Sequence, residues 1–205
     1  MVKRIINFIK WCLFEQPTLG RMTLEKAFKR EVPELKPGKI IEIGAGDHNS
    51  HIEYLKGDYH YFSLNILLSE RPAIVGDACL LPLQDNSIDD IIMLEVIEHI
   101  PIPDLLIREC KRVLKRGGLM IGSTRFIYPQ HGAPCDYYRF TEASIKMLYG
   151  AFSECKIEKL GNKLHVLVDI IFENYPFLRL FNRLFQYVPF KPSTCYSGLL
   201  FMAKK

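Results

Sequence analysis

Residues 39–49 fix what kind of fold this chain can adopt: a short apolar run, Ile40-Ile41-Glu42-Ile43, stops abruptly at Gly44-Ala45-Gly46-Asp47. A short β-branched run reads as a strand buried in a parallel sheet. A glycine pair straight after it gives a turn whose backbone approaches a ligand closely. Gly-x-Gly after a strand also occurs in dinucleotide-binding folds and in plain strand-to-helix connections, so the pattern alone points to a strand tip and not to one ligand.

From Gly38 the chain alternates strand and helix. Strands are expected at 39–43, 59–64, 73–75, 87–94 and 119–124, with a short helix at 51–55. A longer helix runs from Pro103 through Leu114, burying Leu105, Leu106, Cys110, Val113 and Leu114 and ending at Gly117-Gly118. A helix capped by Thr141 follows, then strands at 152–160 and 196–203. Such alternation predicts an α/β fold in which helices cover both faces of a mostly parallel sheet and ligands bind beyond the carboxyl ends of the strands. One domain is expected over 38–205, with a helical insertion at 164–190 before the last strand and an N-terminal helical extension over 1–37.

Charge is unevenly placed. Residues 1–40 carry 9 Lys and Arg against 4 acids, residues 41–110 carry 3 against 13, and residues 111–205 carry 15 against 6. Basic ends suit an anionic partner, although such unevenness is more often a solvated outer face. The pattern of 1–14 places Val2, Ile5, Ile6, Ile9 and Leu13 on one helical face with Lys3, Asn7 and Lys10 opposite. That serves an interfacial membrane helix or, more readily, a helix packed over the fold. The six cysteines have no C-x-x-C spacing, so neither a metal site nor a disulfide framework is expected, which fits a cytoplasmic protein. No apolar run is long enough to span a bilayer.

The ordered set Glu42-Ile43-Gly44-Ala45-Gly46, Asn65, Gly76-Asp77-Ala78, Leu81-Pro82-Leu83, Asp85-Asn86-Ser87-Ile88-Asp89, Glu95-Val96-Ile97-Glu98-His99-Ile100 and Leu114-Lys115-Arg116-Gly117-Gly118 resembles the S-adenosylmethionine-binding core of class I methyltransferases. The resemblance implies a Rossmann-like, seven-stranded fold and S-adenosyl-L-methionine as cofactor. By the same resemblance Gly44, Ala45 and Gly46 approach the methionine part, Glu42 engages its ammonium group, and Asp77 with Ala78 reads the adenine. Asn65 stands where an acid usually holds the ribose, and Asp47-His48 stands where a further glycine is common; both put cofactor affinity in question. Glu95 and His99 fall near the sulfonium side and the substrate entrance, and Glu98 is read as facing solvent.

A second stretch, 125–141, resembles a loop that follows strand five in a subset of small class I methyltransferases. It gathers Tyr128, His131, Asp136, Tyr137 and Arg139, and loops of this length are most often functional. For an oxygen acceptor the protein must orient the acceptor and remove its proton. His131 is the first candidate base and Asp136 the second, with Tyr128, Tyr137 and Arg139 as substrate contacts; loop bracing is the structural alternative for His131 and Arg139.

No Asn-Pro-Pro-aromatic sequence is present, so oxygen methylation of a small, glycan or lipid-linked acceptor is the residual reading. The alternatives are a non-catalytic module of the same fold and a nicotinamide-dependent oxidoreductase; Asn49 in place of the third glycine of G-x-G-x-x-G weighs against the latter. No nucleic-acid partner is expected. Peripheral membrane contact through 1–14 and 165–190 remains open, since both stretches are apolar and basic.

Overall fold

The computed structural model describes residues 17–46, 50–132, 134–188 and 194–205. The expected helix over 1–14 and the Asp47-His48 pair therefore lie outside the described residues. The described chain begins with α1 (Leu19–Glu31) and continues with β1 (Gly38–Ile43), β2 (Tyr59–Asn65), β3 (Ile74–Val75) and β4 (Ile88–Leu94). Then come α2 (Pro103–Val113), β5 (Leu114–Arg125), α3 (Glu142–Leu148), β6 (Glu154–Leu160), α4 (Lys163–Asn174), α5 (Asn182–Phe185) and β7 (Gly198–Lys204).

The strands form one sheet in the order β3-β2-β1-β4-β5-β7-β6. β1 to β5 pair in parallel, and β7 runs antiparallel between β5 and β6. Because side chains alternate across a strand, each central strand feeds two cores. Ile41, Ile43, Ile91, Met93 and Met120 point to one face, where α2 and α3 supply Leu106, Cys110, Val113 and Ile145. Ile40, Ile92, Leu94 and Ile121 point to the other, covered by Leu24, Ala27 and Phe28 of α1.

Three expectations need correction. Gly117-Gly118 does not cap the preceding helix. That helix ends at Val113 with Leu114 already extended, and Gly117, at φ +74°, bends β5 where its N–H meets the Lys205 carbonyl at 2.8 Å. Leu105 is exposed, because the buried stripe of α2 runs through Pro103, Leu106, Ile107, Cys110 and Val113. The sequence pattern places a short helix at 23–30, but the first described helix starts at Leu19. The N–H groups of Leu19 and Gly20 donate to the two carboxylate oxygens of Asp169 on α4 at 2.7 and 2.8 Å, and Thr18 Oγ1 accepts from Arg21 N at 3.1 Å. Thr18 is a local cap, but the part borrowed from Asp169 across the chain leaves no local signal.

Candidate active site

The Gly44 turn lies at the carboxyl end of β1, beside the ends of β2 and β4. Gly44 takes φ +85°, which only glycine adopts without strain, and a Cβ there would come within 2.3 Å of Val96 Cγ2. Its N–H donates to Leu64 O at 2.7 Å. A Cβ on Gly46 would meet the Glu70 carbonyl oxygen at 2.2 Å. The turn is thus held between β2 and the β4 exit by contacts that leave no room for a side chain.

Above it opens a cleft of about 630 Å³, within the range of small-molecule sites. Glu42, Gly44, Asn65, Asp77, Ala78, Glu95 and His99 all line it, and His131 and Tyr137 close it from the loop after β5. Ala45 is buried under the turn. Tyr128, Asp136 and Arg139 stand behind the cleft wall instead of lining it.

Asn65 ties the site together. Its Nδ2 donates to Gly44 O at 2.9 Å and its Oδ1 accepts from Leu67 N at 3.0 Å. Each partner fixes one end of the amide, since a carbonyl can only accept and an N–H can only donate. One lone pair of Oδ1 is left for a ligand. Asp77 Oδ1 accepts from Cys79 N at 2.8 Å, fixing that carboxylate at the mouth.

Glu42 is buried, and its carboxylate is shared within the protein. Oε2 accepts from His51 N at 3.0 Å and from Tyr61 Oη at 2.5 Å, while His51 Nδ1 donates to Oε1. The Arg21 guanidinium donates to His51 Nε2 at 3.1 Å, which places the imidazole proton on Nδ1. Burial and the neighbouring Glu42 push the Tyr61 phenol well above its ordinary range. Arg21 and His51 both line the cleft and went unread in the sequence, where a lone arginine on a helix and a lone histidine nine residues past Glu42 carry no motif.

At the end of β4, Glu95 sits at φ +56°, a left-handed conformation costly for a side-chain-bearing residue. Arg125 holds it there, with Nε to Oε1 at 2.6 Å and Nη2 to Oε2 at 3.1 Å, and lies 4.5 Å from the Tyr128 ring centroid. Glu98 corrects its reading as solvent-facing. It is fully buried; Oε2 accepts from Thr124 Oγ1 at 3.0 Å and Oε1 from Arg125 N at 3.2 Å. Burial, aided by the charge of Glu95, raises its carboxyl to about 7.

The loop after β5 is braced by Arg139. Its five N–H donors go to Tyr128 O, Tyr138 O, Pro129 O and both oxygens of Asp136, the last two at 2.5 Å. None is left for an acceptor. The Arg139 guanidinium holds the Asp136 carboxyl down at about 2, and Asp136 Oδ2 also accepts the His131 N–H at 2.9 Å. His131 Nδ1 is buried 3.2 Å from the same oxygen without hydrogen-bond alignment, so Nε2 is the ring nitrogen left for chemistry. Burial lowers the His131 pKa. His99 packs edge-on against it with ring centroids 4.9 Å apart, and its Nδ1 donates to Cys135 O at 2.6 Å. Glu98, His99 and His131 place ligand atoms within 4.8 Å of one another, but both Glu98 oxygens are already engaged.

Residues 42–122 match the family described as a methyltransferase domain. A crystal structure of an S-adenosylmethionine-dependent methyltransferase from Archaeoglobus fulgidus superposes with a TM-score of 0.62, at 16% identity, over 97% of this chain and 99% of that one. The fold is that of the Rossmann-like methyltransferases. The phosphoethanolamine N-methyltransferase 2 of Haemonchus contortus, solved with S-adenosyl-L-methionine, gives 0.61 at 17% identity over 87% of this chain and 51% of that chain. The [4+2]-cyclase SpnF gives 0.60 at 17% identity over 87% and 80%, so this fold also serves other chemistry. Two probable S-adenosylmethionine-dependent methyltransferases of Mycobacterium tuberculosis are each 30% identical over 107 residues, 47% of this chain and 39% of theirs. The chain spans about two fifths of the length of these curated relatives.

Proposed function

We propose that this chain binds S-adenosyl-L-methionine in the cleft and methylates an oxygen of a small, glycan or lipid-linked acceptor. The observation that carries this reading is the convergence of the Gly44 turn, Asn65, Asp77 and Ala78 with His131 and Tyr137 around one cavity of suitable size. The donor set fits the cofactor: carboxylates at Asp77 and Glu95 suit amino and sulfonium groups, and the glycine turn admits the chain of the methionine part. The curated relatives and the family matched at 42–122 support the same cofactor.

When bound, the cofactor supplies an activated methyl group on a sulfonium. The protein's own work is then orientation and proton removal. Tyr137 and His99 flank the acceptor, and His131 Nε2 takes the acceptor proton. Asp136 and Arg139 position His131 through its backbone N–H and the loop carbonyls. The Arg21–His51–Glu42 chain orients the methionine end.

Replacing His131 with alanine should leave cofactor affinity within about twofold and lower acceptor-dependent turnover by roughly 10²–10⁴. Release of S-adenosylhomocysteine across an acceptor panel, beside isothermal titration of the cofactor, checks both. Because burial lowers the His131 pKa, wild-type kcat/KM should hold at neutral pH and fall only below the ordinary histidine range. A variant as active as wild type at every pH would remove His131 from the mechanism.

Asn65→Asp, which restores the family's usual acid, should weaken cofactor binding instead of improving it. The change deletes the Nδ2 donor and sets a carboxylate oxygen against the Gly44 carbonyl that the amide now holds at 2.9 Å. A loss of roughly fivefold to thirtyfold is expected by isothermal titration, from about 1–2 kcal/mol of lost bonding. Tighter binding would mean that the ribose contact outweighs the turn.

A further inference from the structure

We propose that the outer face of α4, α5 and the 3-10 segment between them (Pro176–Phe181) is a docking surface for an anionic phospholipid bilayer. The proposal rests on the lipid-linked branch of the functional reading for its purpose and on the face itself for its evidence.

α4 is apolar on both sides. Val166, Val168 and Phe172 are buried against the body of the protein, while Leu167, Ile170 and Ile171 on the opposite side are exposed. A surface helix of a water-soluble domain is mostly polar on its outer side, so an outer side carrying Leu167, Ile170 and Ile171 calls for an apolar neighbour. The pattern continues past the helix: Phe177, Leu180, Phe181, Leu184 and Tyr187 are 46–73% exposed. Exposed apolar side chains concentrated in one short stretch differ from the scattered ones found on any surface.

Charge selects the occupant. Lys163 and Arg183 on this stretch and Lys26 of α1 are exposed, and Lys26 Nζ lies 5.9 Å from the Tyr187 ring centroid. The stretch 163–188 exposes a single acid, Glu173, since Asp169 is buried under the α1 terminus. Aromatic and aliphatic side chains rimmed by cations suit the headgroup boundary of an anionic leaflet. Among the described residues no helix is long and apolar enough to cross a membrane, so the mode is interfacial.

Asn182 of α5 donates from Nδ2 to Pro17 O at 2.8 Å, which fastens the segment before α1 to this face. α1, whose N-terminus Asp169 caps from α4, carries Arg21 into the cleft. The surface and the candidate active site therefore share one helix.

The test is co-sedimentation of the full-length chain with vesicles of phosphatidylcholine alone and of phosphatidylcholine mixed with phosphatidylglycerol. It compares wild type, Phe177→Glu with Leu184→Glu, and Met147→Glu, an exposed apolar residue on α3. Wild type and Met147→Glu should bind the anionic vesicles, and the double variant should need about tenfold more lipid or fail to bind. Wild type that stays in solution with both vesicles overturns the proposal, as does a double variant that binds like wild type. Light scattering without lipid separates a second copy: a wild-type dimer that the double variant breaks, with no vesicle binding, overturns the lipid assignment too. Cofactor titration on the same preparations keeps the two readings apart. Vesicle binding without cofactor binding removes only the methyl transfer, and cofactor binding without vesicle binding removes only the docking face.

Discussion

Gly44→Val should bind S-adenosylmethionine at least about a hundredfold more weakly than wild type, and it should lose stability as well. Two costs add at one atom. A left-handed φ costs a side-chain-bearing residue roughly 1–2 kcal/mol, and the new Cβ overlaps Val96 Cγ2 at 2.3 Å, an overpacking worth about 1–3 kcal/mol. The turn cannot slide away, because Leu64 O holds its N–H and Asn65 Nδ2 holds its carbonyl. Either the turn opens and its ligand surface is lost, or Val96 is driven into the cleft mouth. Isothermal titration with S-adenosylmethionine and S-adenosylhomocysteine reads the first effect, and thermal unfolding the second. Gly132→Ala is the control, since a Cβ there meets nothing within 4 Å. Wild-type affinity in Gly44→Val would disconnect the turn from the ligand.

Arg125→Met should cost about 1.5–3 kcal/mol, because it removes charge-assisted hydrogen bonds from the half-buried Glu95 carboxylate. Arg125 neutralises Glu95, supports that residue's left-handed backbone and packs on Tyr128. Without it only Arg21, with Nη1 3.6 Å from Oε2, is left to offset Glu95 beside the buried Glu98. The loss should depend on pH in a definite direction. The folded Glu98 carboxyl already lies at about 7, above the ordinary value of 4.5, so the folded state binds a proton that the unfolded state has released. Stability in that window rises as pH falls. The variant should therefore be hurt most above pH 7 and recover part of the loss toward pH 5. Thermal unfolding at the two ends of that range decides it; an equal deficit at both would mean that the arginine acts by packing alone.

The sheet was legible because burial on both faces writes continuous apolar runs such as Ile91 to Leu94, and because the glycine turn needs glycine. The convergence of Glu42, Gly44, Asn65, Asp77 and Ala78 on one cleft followed, since they stand at successive strand ends. Side-chain commitments were not legible. Glu98 looks like a polar residue on a loop, yet Thr124 and the Arg125 N–H from the neighbouring strand bury it. Arg139 could be read as a substrate contact or as a loop brace, and only tracing its five donors to loop carbonyls and Asp136 favours the brace. Asp169 reaches Leu19 and Gly20 across about 150 residues of chain and Arg21 reaches His51 across 30, and no local pattern reports a partner chosen by the fold. The boundary at Gly117 failed for a related reason: positive φ serves a bent strand as well as a helix end.

The position of α1 changes what counts as the working unit. The segment matched at 42–122 contains the floor of the cleft, but Arg21 comes from before it, and His131 and Tyr137 come from after it. A chain trimmed to begin at β1 would keep the sheet and its glycine turn while losing one wall, the brace on His51 and the cover of a whole core face. The matched centre is then the floor of the cleft, and its walls come from flanks that lie outside the match.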